Sequence, residues 1–327
     1  MKEDESKCLI IVGMHRSGTS YTASVLKQSG LNIGDRLLAA SIGNDLGHFE
    51  NEDFYHFHQK AFTKRNYHSD GWSLNIVHDL DSDELKEARH IISINQLNQW
   101  GWKDPRTTLF LEAWKKLIPD AYFLFIYRTP WEVVESLFRR NTDKDLIAEP
   151  ILTIENWQFY NEQILNFFNE NKERSLLVEI ENIMQRSSEL IELLNSRLGF
   201  KLNAEVESIF DKNRFKNNLT ETQQFFCESV FPACISLYKK LQDESSIKPL
   251  NVYKPTKGKM ESLIKWWYDS CQTVRLNKEV AECARTVDDI KKINEELNTE
   301  NTYLKNELSW IISSKWWRLR SFFKKLI

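Results

Sequence analysis

Two glycines, Gly13 and Gly18, enclose Met14-His15-Arg16-Ser17, and Thr19-Ser20 follow at once. The run sits between the apolar stretch Cys8-Leu-Ile-Ile-Val12 and a helical pattern that continues through Lys27 and stops at Gly30. Glycines let such a turn wrap an anion, its successive N–H groups point inward, and the helix start adds about half a positive charge. The spacing is that of a Walker A loop, GxxxxG plus two residues, but Thr19 stands where that loop has its lysine. Arg16 is left to supply the side-chain cation. His15, Arg16, Ser17, Gly18, Thr19 and Ser20 are therefore the candidate anion-binding residues. A plain glycine-containing turn with a solvated arginine is the alternative reading.

A second group stands more than a hundred residues later. Arg128 closes the apolar run Tyr122-Phe-Leu-Phe-Ile-Tyr127, and Thr129-Pro130-Trp131-Glu132 reads as a helix start with a Thr N-cap, Pro at the first helical position and Glu three residues after the cap. In open α/β sheets, ligands bind at that strand edge. Ser136 follows eight residues after Arg128. A guanidinium offers a phosphate two hydrogen bonds and a serine hydroxyl one more, which suits an unesterified phosphate. Taken singly, Arg128 also reads as a solvated strand end and Ser136 as a surface helix residue. The histidines all fall between His15 and His90. His56 and His58 stand two apart on a helical stretch and diverge by about 200°, so they do not share a zinc ion, and no metal is expected.

Met14-His-Arg-Ser-Gly-Thr-Ser20 resembles the 5′-phosphosulfate loop of sulfotransferases that use 3′-phosphoadenosine 5′-phosphosulfate (PAPS), and Arg128 with Pro130 and Ser136 resembles their 3′-phosphate site. Gly47-His-Phe-Glu-Asn51, with Asp53-Phe54 beyond it, is similar to the segment of bacterial and tyrosylprotein sulfotransferases that carries a catalytic Glu. Trp102-Lys-Asp-Pro-Arg106 resembles their Lys-Asp-Pro element, and Leu176 to Phe200 their later strand and helix. The resemblance spans residues 8–215. It departs where relatives place an aromatic before a Glu and this chain has Ile180-Glu181, and no Gly-rich third nucleotide motif is visible.

The resemblance implies a PAPS-dependent enzyme that sulfates a hydroxyl of a glycan or glycolipid without a metal. Glu50 is then the base, with His48 in reserve, although Glu50-Asn-Glu-Asp53 also reads as an acidic helix start. Lys103 and Arg16 are then the cations for the bridging oxygen and the sulfonate, and His15 shapes the loop. Lys103 beside Asp104 also reads as a structural ion pair. Two further classes stay open: a P-loop nucleotide or sugar kinase, weakened by the missing Walker lysine and Walker B aspartate, and a non-catalytic coiled-coil scaffold with a decayed nucleotide pocket.

The elements that must position these residues alternate. Strands are expected at Cys8–Val12, Trp100–Lys103, Tyr122–Tyr127 and Ser175–Ile180, and helices near Asn51–Lys64, Ser82–Gln99, Thr107–Leu117, Pro130–Arg140 and Thr153–Asn171. That order predicts an α/β fold, a P-loop-like parallel sheet flanked by helices. Trp72 and Trp100 read either as core or as platforms for sugar rings. With 44 basic and 47 acidic residues the net charge is −3, so no global field draws nucleic acid to the chain. Five scattered cysteines without a CxxC pair fit a reducing compartment, and no signal peptide or spanning helix is visible, so a cytoplasmic location is expected.

The α/β domain is expected over 1–244, with a linker at 245–259. Residues 260–313 read as one long helix with a heptad seam: Val280, Val287, Asn294, Asn301 and Leu308 at a, and Cys283, Ile290, Leu297, Leu304 and Ile311 at d. Buried Asn at a suits a parallel two-stranded coil and hence a homodimer; packing on the chain's own α/β domain is the alternative. The tail 314–327 mixes Lys315, Arg318, Arg320, Lys324 and Lys325 with Trp316, Trp317, Phe322 and Phe323. Such a mixture suits an anionic membrane surface, placing the enzyme on the inner face of the membrane.

Overall fold

The computed structural model describes residues 6–39, 47–72, 74–205, 221–257, 260–315 and 320. Four short apolar runs form one parallel sheet: β1 (Lys7–Val12), β2 (Gln99–Lys103), β3 (Tyr122–Tyr127) and β4 (Ser175–Glu179), in the order β2-β1-β3-β4. Ile11 lies opposite Lys103, Val12 opposite Phe125 and Tyr127 opposite Glu179, so all four carboxyl ends reach one edge. Gly101 keeps β1 and β2 in register, because a Cβ there would stand 1.8 Å from the Leu9 carbonyl oxygen.

Side chains alternate between the two faces, as strands covered on both sides require. Cys8, Ile10, Val12, Phe123, Phe125 and Leu177 enter one core; Leu9, Ile11, Leu124, Ile126, Leu176 and Val178 enter the other. Each fully buried aliphatic or aromatic side chain contributes about 1.5–3 kcal/mol. Helix α1 (Thr19–Gln28) lines the second core with Tyr21, Val25 and Leu26. Helices α2 (Glu52–Lys64) and α3 (Ser82–Asn95) cover the first, together with α4 (Leu111–Leu117) and α5 (Pro130–Arg140). A short α6 (Lys144–Ala148) leads to the long α7 (Leu152–Glu170) on the same face. Helices α8 (Ile180–Gln185) and α9 (Ser187–Leu198) return to the second core. After the undescribed stretch 206–220 come α10 (Glu221–Val230) and α11 (Pro232–Asp243), against the first core.

Three local readings are corrected. The helix expected to Gln99 ends at Asn95, because residues 96–98 turn the chain back toward β1, where Lys7 N–H donates to Asn98 O, and Gln99 joins β2. The helix expected from Thr107 is a 3₁₀ turn over Pro105–Phe110 before α4, started by Asp104, whose side chain accepts from Arg106 N–H. At α5 the Thr129 hydroxyl makes no cap; it donates to Glu132 Oε2, which also takes Arg128 Nε. The arginine draws the glutamate away from a capping box.

The chain divides into two units, 1–258 and 259–327. Within the first, residues 245–256 are tied to the α/β layers: Ser246 N–H donates to Leu177 O at 2.7 Å, Ile247 is buried, and Thr256 N–H donates to Glu228. The second contains α12 (Met260–Ser313), 54 residues or about 80 Å of helix, on which the expected a and d side chains are exposed. Most of the basic aromatic tail lies outside the described residues.

Candidate active site

The loop between β1 and α1 sits where strand order reverses, the crevice in which such sheets place ligands. Its turn is closed by Ser17 N–H donating to Met14 O at 3.1 Å. Arg16 and Gly18 both take left-handed backbone angles, φ 67° and 92°. For Arg16 that conformation costs about 1 kcal/mol or more, a strain found where a backbone is shaped for a ligand. Gly18 is obligatory on a second count, since a Cβ would stand 2.3 Å from the Ile180 side chain. Ile180 therefore packs on the loop itself.

Helix α1 starts with no side-chain cap and no acidic residue in its first turn, so neither its cap nor its own first turn supplies a carboxylate to its leading N–H groups. Among the described residues, Ser17 Oγ and His15 Nε2 are buried without a hydrogen-bond partner. These orphaned polar atoms, around an uncapped helix start, fit an anionic ligand.

The structure brings Arg16, Arg128 and Ser136 together. Arg16 Nε donates to Ser136 Oγ at 3.0 Å, and Arg128 Nη1 to the Arg16 carbonyl at 3.4 Å. Burial and the like charges of Arg140, Arg128 and Arg139 lower the Arg16 guanidinium to about 10. A buried guanidinium whose charge is opposed by neighbouring arginines is a place where an anion is favoured. Burial likewise pushes His15 well below the usual histidine range, with Arg106 adding to it. It lies against Trp72, 4.5 Å between ring centroids. Trp72 and Trp100 are 4% and 2% exposed, so both belong to the core and neither presents a face to a sugar.

Glu50 and Lys103 meet beside this loop. Lys103, at the end of β2, donates from Nζ to Glu50 Oε1 at 2.6 Å, to the His48 carbonyl at 3.1 Å and to Ser20 Oγ at 3.2 Å. Both side chains are buried. Phe49, immediately before Glu50, has φ 56°, a second strained position at the site. Burial lowers the half-buried His48, with Glu50 pulling it partly back.

Several residues here carry no expected role. Arg106 Nη1 donates to Asp104 Oδ1 at 2.9 Å and to Glu50 Oε2 at 3.3 Å, and Nη2 to Asp70 at 3.0 Å. Its position two after Asp104 in the Lys-Asp-Pro-Arg run was the available signal. Asp104 is fully engaged by Arg106 and His58, so it does not stand as a metal carboxylate of the kinase type. Among the described residues, no group of His, Cys, Asp and Glu is arranged to hold a metal ion.

Next to Arg128 opens a cavity of about 430 Å³ lined by Trp131, Glu179, Met184, Tyr253 and Lys254. Residues 251–254 also line it. Tyr238 donates its hydroxyl proton to Glu179 Oε1, and Gln242 Nε2 also reaches that carboxylate. Burial nevertheless raises Glu179 to about 7.

Residues 9–203 match the sulfotransferase family, and the chain belongs to it. Solved structures match the chain at low identity. Sulfotransferase STF9 from Mycobacterium avium is 14% identical over 74% of this chain and 78% of its own, with a TM-score of 0.47. A sulfotransferase from Alicyclobacillus acidocaldarius is 14% identical over 72% and 95%, with a TM-score of 0.40. The sulfotransferase domain of the Synechococcus PCC 7002 olefin synthase is 18% identical over 80% and 95%, with a TM-score of 0.37. No curated protein matches the chain.

Proposed function

We propose that the protein transfers the sulfuryl group of PAPS to a hydroxyl of a glycan or glycolipid. The observation that carries the reading is the convergence of an uncapped, acid-free helix start with the Arg16, Arg128 and Ser136 cluster, one strand away from the buried Glu50–Lys103 pair. In this reading Ser17, Gly18, Thr19 and Ser20 hold the 5′ end through backbone N–H and hydroxyl groups. Arg128 and Ser136 hold the 3′-phosphate, and the neighbouring cavity takes the base. Glu50 takes the proton of the acceptor hydroxyl as its oxygen bonds to sulfur. The bond from sulfur to the bridging oxygen breaks, and Lys103 and Arg16 stabilise the charge that gathers on that oxygen and on the sulfonate. The side-chain cations take the place that a metal ion has in phosphoryl transfer.

The acceptor class follows from where the enzyme would sit. The heptad seam of α12 makes it a parallel homodimer, and the paired basic aromatic tails hold it on an anionic membrane surface, where glycolipid head groups are presented. The test is incubation of the full chain with radiolabelled PAPS and a panel of glycans, glycolipids and peptides. Label on a sugar hydroxyl supports the reading. Label on peptide alone refutes the acceptor class, and phosphate transfer from magnesium ATP in place of sulfate refutes the donor.

A further inference from the structure

Behind Glu50 runs a chain of buried polar groups that the reaction as described does not use. Trp114 Nε1 donates to His58 Nε2 at 2.9 Å, and His58 Nδ1 lies 2.8 Å from Asp104 Oδ2. Asp104 Oδ1 accepts from the backbone N–H and from Nη1 of Arg106, at 3.0 and 2.9 Å. The same Nη1 reaches Glu50 Oε2 at 3.3 Å. His58 and Asp104 are wholly buried, and Arg106 nearly so. An indole N–H can only donate, so His58 Nε2 must accept and the ring proton sits on Nδ1, where it is donated to Asp104.

The consequence lies in how Asp104 is divided. One oxygen is taken by His58, which leaves only the other for Arg106. The guanidinium therefore contacts Asp104 through one nitrogen and has that nitrogen to share with Glu50. Were Oδ2 released, the carboxylate could turn and take Arg106 through both oxygens, the geometry arginine prefers with a carboxylate. To present a second nitrogen the guanidinium must turn out of its contacts with Asp70 and the Ser69 carbonyl, and that turn carries Nη1 away from Glu50, where its bond of 3.3 Å is the longer of its two. Burial opposes charge on Asp104, but the Arg106 guanidinium and the His58 hydrogen bond outweigh it and hold the carboxyl well below the usual range.

We infer that His58, its tautomer fixed by Trp114, is a positioning residue that divides Asp104 so that Arg106 is aimed at Glu50. The inference rests on Glu50 being the base. Asn and Gln at position 58 separate it from a merely structural role, because an Asn amide places its donor near Nδ1, facing Asp104, whereas Gln places it near Nε2, facing Trp114.

The experiment measures single-turnover consumption of radiolabelled PAPS and the affinity for 3′-phosphoadenosine 5′-phosphate in the full chain. His58→Gln is expected to slow turnover about ten- to hundredfold with affinity within about twofold, and His58→Asn to stay near wild type. In a Glu50→Gln background, His58→Gln should cause no further loss. Equal behaviour of the Asn and Gln variants, or the same loss in both backgrounds, overturns the inference while leaving Glu50 as base. Wild-type turnover in Glu50→Gln removes the base assignment and this inference with it. Should His58→Gln fail to fold, nitrogen NMR of labelled histidine in the wild-type protein decides: Nδ1-protonated His58 in the wild type, lost in a slower Trp114→Phe, supports the inference. An Nε2-protonated His58 overturns it.

Discussion

Replacing Arg128 by Ala isolates one phosphate from the rest of the nucleotide. Its guanidinium is buried, and its contacts within the chain include Nε to Glu132 and Nη1 to the Arg16 carbonyl. Truncation costs the fold little, because Glu132 keeps the Thr129 hydroxyl and Trp157 Nε1 still donates to the backbone carbonyl at position 128. The loss should fall on binding. A charge-assisted contact of this kind contributes about 1.5–3 kcal/mol, so the affinity for 3′-phosphoadenosine 5′-phosphate should drop about ten- to hundredfold. Ser136→Ala removes one neutral donor, about 0.5–1.5 kcal/mol, and should cost about two- to tenfold. Calorimetry with adenosine 5′-phosphate, which lacks the 3′-phosphate, completes the cycle. The wild-type protein should discriminate between the two nucleotides and Arg128→Ala should not. If Arg128→Ala weakens both nucleotides equally, the 3′-phosphate does not lie on this residue.

Three other outcomes are expected. Lys103→Ala should lower turnover by about 10²–10³ while changing nucleotide affinity much less, since a transition-state cation is lost while Arg106 still faces Glu50; a loss confined to affinity would place Lys103 on the nucleotide instead. Glu179, raised to about 7 by burial with the charges of Glu181 and Glu132 adding to it, binds its proton more readily folded than unfolded, so its contribution is largest at acid pH and is lost as pH rises toward 7. Glu179→Gln should therefore raise the melting temperature at pH 8 relative to pH 5, and parallel pH profiles for the two proteins would refute it. The full chain should be a dimer by light scattering and chain 1–258 a monomer, with deletion of 314–327 abolishing sedimentation with anionic vesicles at low salt; a monomeric full chain removes the coil, and unchanged sedimentation removes the tail's role.

The parts of this site that the sequence exposes are those built from neighbours in the chain. The Gly13–Ser20 loop and Arg128 each follow directly from an apolar run, so the strand, the turn and the residue at its end are read together. Glu50 is different: among Glu50, Glu52 and Asp53 nothing local separates a base from an acidic helix start, and only the family resemblance chose it. The Trp114–His58–Asp104–Arg106 chain joins residues 46 and 56 positions apart, which no local pattern records. Thr129 and Glu132 show the reverse failure, a sound local motif undone because Arg128 competes for the same carboxylate. The end of α3 was missed for a related reason: Leu97 continues the apolar pattern yet is exposed, and β-sheet pairing at Gln99 decides the boundary.

The central claim is that Glu50 does chemistry in a site whose nucleotide grip lies elsewhere. Single-turnover decay of radiolabelled PAPS, followed in the wild-type protein and in Glu50→Gln with nucleotide affinity measured on the same samples, tests it most directly. Lys103 keeps Ser20 and His48, and Arg106 keeps Asp104 and Asp70, so the variant should fold. Turnover should fall by about 10²–10⁴ with affinity within about twofold. Decay at the wild-type rate in Glu50→Gln would contradict the account.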